Sequence, residues 1–291
     1  MKYDRIIAVD WSARSKPSPR KPTKDAIFIC ISGQHPTYHR TRAAAIDYVS
    51  DVLQAALAAG QKVLIGFDFS FGYPVGFAKK LTGSDRGLAV WSWLADHIKD
   101  GPDNSNNRFA VIKDVNALFE GIGPFWGCPM GVEDEALPAK GSLRHGHGMA
   151  ERRAVEDAVS SAQSTWKLFT TGSVGSQSLL GLPYLWALKQ HYREDLAVWP
   201  LETGFEQPDA KITVVEIYPS LMRPECSLSL EHAYPHELYD ILDAKQVRWV
   251  CDQFDTMNKA ETWPDAFEVC ARLSNADQIA QEGWILGATA A

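Results

Sequence analysis

No two cysteines in this chain are spaced as a Cys-x-x-Cys pair, and the total is five, an odd number. That excludes a fully paired disulfide framework and predicts a reduced, cytoplasmic setting. No apolar run approaches the roughly 20 residues that span a bilayer. The opening MKYDRIIAVD turns acidic too early for a secretory leader. Neither membrane insertion nor secretion is expected. Positive charge is also scarce: the net charge is −7. A protein that coats nucleic acid by bulk charge is thereby excluded, although a local basic groove is not. Three catalytic signatures are missing. No Gly-x-Gly-x-x-Gly follows the first strand, no Gly-Lys-Ser/Thr phosphate loop occurs, and no Gly-x-Ser-x-Gly elbow is present. Internal repeats and low-complexity tracts are lacking too.

What remains is an ordinary globular composition, 45% apolar and 22% charged, in 291 residues. Such a chain buries a large core and allows one or two domains. The periodicity favours a single domain, 1–291, interrupted by an insertion at about 74–165. Strands are expected over 5–9, 26–32, 37–40, 62–67, 196–199 and 211–217. Helices are expected over 43–59, 88–99, 108–120, 177–191, 233–250 and 264–274. The first strands follow one another without a helix and so pair antiparallel. The strand at 62–67 follows a long helix and so joins a parallel half. The fold class is therefore α/β, a mixed sheet flanked by helices. It differs from a doubly wound dinucleotide fold, which alternates strand and helix from its start.

Three of these strands carry an acid at or near their C-terminal ends: Asp10 in IIAVDWS, Asp68 in VLIGFDFS and Glu216 in ITVVEIYPS. A carboxylate in an apolar strand is costly unless paired, hydrogen-bonded or metal-bound. One such residue is commonly a turn former, but three on separate strands point to a shared site. Crowded carboxylates need a cation, and hard oxygen donors without nearby Cys or His favour Mg²⁺ or Mn²⁺. Asp265 is a fourth acid, with Glu268 one turn later. By spacing alone, Asp265 reads first as a helix-start residue, because Thr262 to Asp265 matches a capping box.

These segments resemble a known family. The pieces IIAVDWSA (6–13), IGFDFSFGYP (65–74), SVGSQSLLGLP (173–183), VVEIYPS (214–220) and the tail PDAFEVCARL with EGWILG are similar to the predicted RNase H-like nucleases catalogued as domain-of-unknown-function family four-two-nine. The resemblance runs through most of the chain. It implies an RNase H-like fold and a metal site at Asp10, Asp68, Glu216 and Asp265.

Other features suggest substrate contacts. Arg152 and Arg153 are placed to grip phosphate in bidentate fashion, or else to form local ion pairs. Trp11 is a stacking candidate, with core packing as the ordinary alternative. Ser70 and Gln177 are further candidate contacts, and TGSVGSQ (171–177) reads as an anion nest or an ordinary loop. Arg14, Lys16, Arg20, Lys21 and Lys24 form an acid-free loop, either a flexible solvated segment or a guide for a phosphate backbone. The expectation is metal-dependent phosphodiester hydrolysis, with nucleic acid or a nucleotide as substrate. The alternatives are an ATP-dependent phosphotransferase of the actin and sugar-kinase type, in which the DWSARS turn touches phosphate, and a non-catalytic binding protein.

Overall fold

The computed structural model describes residues 2–170, 172–222, 237–267 and 276–288. Six strands form one sheet: β1 (Arg5–Asp10), β2 (Ile27–Ile31), β3 (Thr37–His39), β4 (Val63–Phe67), β5 (Leu196–Val198) and β6 (Ile212–Glu216). Their order is β3-β2-β1-β4-β6-β5. The β1–β2 and β2–β3 pairs are antiparallel, whereas β1–β4, β4–β6 and β5–β6 are parallel. The mixed sheet expected from the sequence is therefore the observed one, and each strand lies within a residue or two of its expected place.

Side chains of successive strand residues point to opposite faces. Ile7 and Val9 of β1, with Ile65 and Phe67 of β4, face one core. There they meet α1 (Arg42–Ala58), α3 (Gly87–His97) and α6 (Gly175–Tyr192), through residues such as Val49, Trp91 and Leu182. Ile6, Ala8 and Leu64 face a second core. It is covered by α7 (Leu242–Ala260), through Val247, Val250 and Phe254, and by Trp263 of α8 (Trp263–Phe267). A sheet buried on both faces explains why its strands read as apolar runs rather than alternating ones.

Residues 74–165, expected as an insertion, contribute α2 (Phe77–Thr82), α3, α4 (Arg108–Asn116) and α5 (Ala154–Ala158). They are not an appendage, because α3 packs on α6 and completes the first core. The helix expected over 233–250 begins later, at Leu242, and runs to Ala260. Residues 223–236 and 268–275 lie outside the described residues, and with them Cys226, Glu268, Cys270 and most of the expected 264–274 helix. A further helix, α9 (Ala276–Glu282), adds to those expected. The thiols of Cys30, Cys128 and Cys251 are buried and free. Among the described residues, no helix is long and apolar enough to cross a membrane.

Candidate functional site

β1 and β4 are parallel neighbours with Val9 opposite Phe67, so the residues that follow, Asp10 and Asp68, emerge side by side. The Asp68 amide donates to the Val9 carbonyl at 3.2 Å, which continues the ladder to that point. The Trp11 amide donates to Asp68 Oδ1 at 2.7 Å. Asp10 is only 7% exposed. The two carboxyls act directly on each other, so the ionisation of one opposes that of the other. Burial pushes Asp68 up to about 7, against the opposing pull of the Trp11 amide. Burial also raises Asp10 well above the usual carboxylate range, and the charges of Asp68, Asp243 and Asp25 add to the effect.

Asp243 is a residue that sequence reasoning does not single out. It lies in the first turn of α7, half-buried, and its Oδ2 accepts from the Asp25 amide at 2.6 Å. Its charge acts on both Asp10 and Asp68. Asp25 itself holds a left-handed backbone, φ 58°. The available signal is an acid at a helix start. A helix expected from 233, instead of from Leu242, hides that acid in a helix interior.

Glu216, the last residue of β6, is differently committed. Arg153 clasps it in bidentate fashion, Nη2 to Oε1 at 2.6 Å and Nη1 to Oε2 at 2.8 Å. The Phe71 amide also donates to Oε2, at 2.9 Å. Arg153 further donates to Glu156 Oε1, to Ser70 Oγ and to the Glu282 carbonyl. Burial alone would lower Arg153, but the charges of Glu216 and Glu156 reverse the sign and raise it. Arg153 is therefore a buried structural cation in place of the expected phosphate grip. Arg152 is a second correction: it bonds the carbonyls of Glu156 and Ala162 and pairs with Asp157.

Three further expectations change with burial and position. Trp11 is 1% exposed, packed against Phe67, Phe69 and Tyr184, and so offers no free face for stacking. Its amide serves Asp68, so the DWSARS turn does not present it to a phosphate. Asp265 is exposed in the first turn of α8 and lies outside the cleft wall, in keeping with a helix-start role. Gln177 and Ser70 do line the cleft, Gln177 with its Nε2 on the Trp11 carbonyl.

The cleft measures about 720 Å³ and opens beside Asp68 and Glu216. Arg14, Lys24 and Arg108 bring positive charge to its wall. The 14–24 loop is anchored rather than loose. Arg42, fully buried, donates to the carbonyls of Ser12 and Arg14 and pairs with Asp100 at 2.5 Å. Asn104 holds the Lys16 carbonyl, and the Ser18 amide donates to the Arg40 carbonyl.

Among the described residues, no three His, Cys, Asp or Glu side chains stand together as a ready metal cage. The expected four-acid site does not fit, because Arg153 neutralises Glu216 and Asp265 is exposed outside the cleft wall. A single hydrated ion does fit the Asp10–Asp68 pair. Mg²⁺ takes one or two carboxylates and fills its remaining positions with water and substrate oxygens. The pair is all hard oxygen, and an ion there would offset the negative charge that burial penalises.

Comparison of the chain with family models, with curated proteins and with solved structures finds no match.

Proposed function

We propose that the protein is a divalent-metal-dependent phosphodiester hydrolase on an RNase H-like fold, acting on a nucleic acid or a nucleotide. The observation that carries this reading is the Asp10–Asp68 pair at the ends of adjoining parallel strands, beside an open cleft. The sheet's antiparallel start and parallel half support the fold assignment. Asp10 and Asp68 would hold one Mg²⁺ or Mn²⁺, and Asp243 would deepen the negative field around it. The ion, when bound, supplies Lewis acidity and a water of lowered pKa. The Trp11 amide fixes the rotamer of Asp68. Arg14 and Lys24 draw the phosphate backbone toward the cleft without contributing base recognition.

The test is calorimetric titration of Mn²⁺ and Mg²⁺ into wild type, Asp10→Asn and Asp68→Asn. The expected result is binding that each substitution weakens at least about tenfold, the loss of one charged oxygen ligand. Binding that ignores both substitutions would overturn the reading.

A further inference from the structure

Arg108 opens α4 and is 5% exposed, yet no carboxylate bonds it among the described residues. Its Nε donates to Ser176 Oγ at 3.0 Å. Its Nη1 donates to Ser15 Oγ at 3.0 Å and to Asn106 Oδ1 at 2.7 Å. All three partners are neutral. Nη2 makes no hydrogen bond among the described residues, and Arg108 forms part of the cleft wall. The guanidinium also lies over the Phe109 ring at 4.3 Å, which fixes its plane.

The other buried arginines differ. Arg42 has Asp100, Arg153 has Glu216 and Glu156, and Arg248 has Asp252. A buried cation without a counter-ion is costly, and a fold that keeps one has a ligand to meet. Burial, followed by the nearby charge of Arg42, pulls Arg108 down to about 10. Asp100 offsets this only weakly, since it is committed to Arg42.

The second feature is the start of α6, an 18-residue helix whose first turn contains no acid. Ser176 ties it to Arg108 directly. The Gly175 amide is used by the Lys167 carbonyl and the Ser178 amide by the Val174 carbonyl. The amides of Ser176 and Gln177 have no partner among the described residues. Both residues line the same cleft as Arg108. Orphan amides and the positive end of a helix dipole favour an anion.

We infer that Arg108 and the first turn of α6 form a phosphate-binding subsite, which receives a phosphoryl group of the substrate other than the one that reacts. Arg108 presents Nη2 to one phosphate oxygen, and the Ser176 and Gln177 amides take another. The inference deepens the hydrolase reading by naming what the far part of the cleft holds, but the subsite's own affinity does not depend on a metal. The phosphate has two candidate sources, a terminal phosphomonoester and a diester within a strand.

The experiment is titration of inorganic phosphate into the full chain in EDTA, followed by calorimetry, for wild type, Arg108→Gln, Arg108→Lys and Asp10→Asn. Wild type and Asp10→Asn should bind alike, Arg108→Lys several-fold weaker, and Arg108→Gln at least about tenfold weaker. The melting temperature of Arg108→Gln should not fall, because an uncompensated buried charge has been removed. If Arg108→Gln does not fold, wild type alone decides, since absence of phosphate binding there overturns the subsite. Unchanged affinity in folded Arg108→Gln, or equal loss in Asp10→Asn, also overturns it. A dinucleotide with and without a 5′-phosphate then separates the sources: tighter binding of the phosphorylated form assigns a monoester, and equal binding assigns the diester. Phosphate binding without any Mn²⁺ binding would leave this subsite standing and remove the hydrolase reading.

Discussion

Two acidic ends of the same sheet face opposite situations. At the end of β6, Glu216 meets a cation supplied by the chain, and Arg153 closes the site with two short bonds. At the ends of β1 and β4, Asp10 and Asp68 meet no cation among the described residues, only each other and the Trp11 amide, with Asp243 and Asp25 adding negative charge. In sequence all three acids look alike, each a carboxylate finishing an apolar strand. The difference teaches that position on a strand marks an acid as costly. What neutralises it decides whether it is structure or site.

The strongest way to break this comparison is Arg153→Ala. It leaves Glu216 and Glu156 buried without a cation and should cost about 3–5 kcal/mol, measured by urea unfolding. A loss near zero would mean that Glu216 is not held by Arg153 in solution.

A smaller effect comes from Asp68, whose carboxyl rises from its ordinary value of 3.8 to about 7 in the fold. The folded protein binds this proton more tightly than the unfolded chain. This contribution to stability is complete below about pH 4 and is lost as pH rises through about 7. Asp68→Asn cannot ionise, so in EDTA its stability relative to wild type should grow by about 1–2 kcal/mol from pH 4 to pH 8. That figure is discounted for screening through the open cleft. Urea unfolding of both proteins at the two pH values checks it, and no divergence would mean that the fold does not raise the Asp68 carboxyl. Saturating Mg²⁺ should abolish the divergence or reverse it.

The smallest effects distinguish the two candidates for a further acid. Asp243→Asn removes a like charge near Asp10 and Asp68 and should move the midpoint of that pH dependence downward by less than about one unit. Asp265→Asn, an exposed change, should leave the midpoint in place and alter stability by no more than about 0.5 kcal/mol. The opposite ranking would return the role to Asp265.

Much of the sheet is legible in the sequence because its strands are short apolar runs ended by acids, glycines or prolines. The 62–67 strand and the 43–59 helix before it match β4 and α1 closely for this reason. α9 escapes such a reading because Ala276 to Glu282 carries little apolar periodicity, and its place depends on contacts made by Gln281 and Glu282. The burial of Trp11 is equally hidden, because a tryptophan beside an acid reads the same whether it faces solvent or core. Gly181 shows the converse dependence on packing. A Cβ there would come within 2.3 Å of the Phe69 ring, so α6 and the turn after Asp68 lie close only because that residue is glycine.

The sequence by itself determined the mixed α/β order and the three costly acids at strand ends, because periodicity and charge in an apolar run are local properties. Only the tertiary structure decided which acid has a partner. Arg153 reaches Glu216 across 63 residues of chain, Asp243 reaches the Asp25 amide across 218, and Arg108 is buried with no carboxylate at all among the described residues. Counter-ions come from wherever the packed chain brings them, and sequence spacing carries no record of those distances.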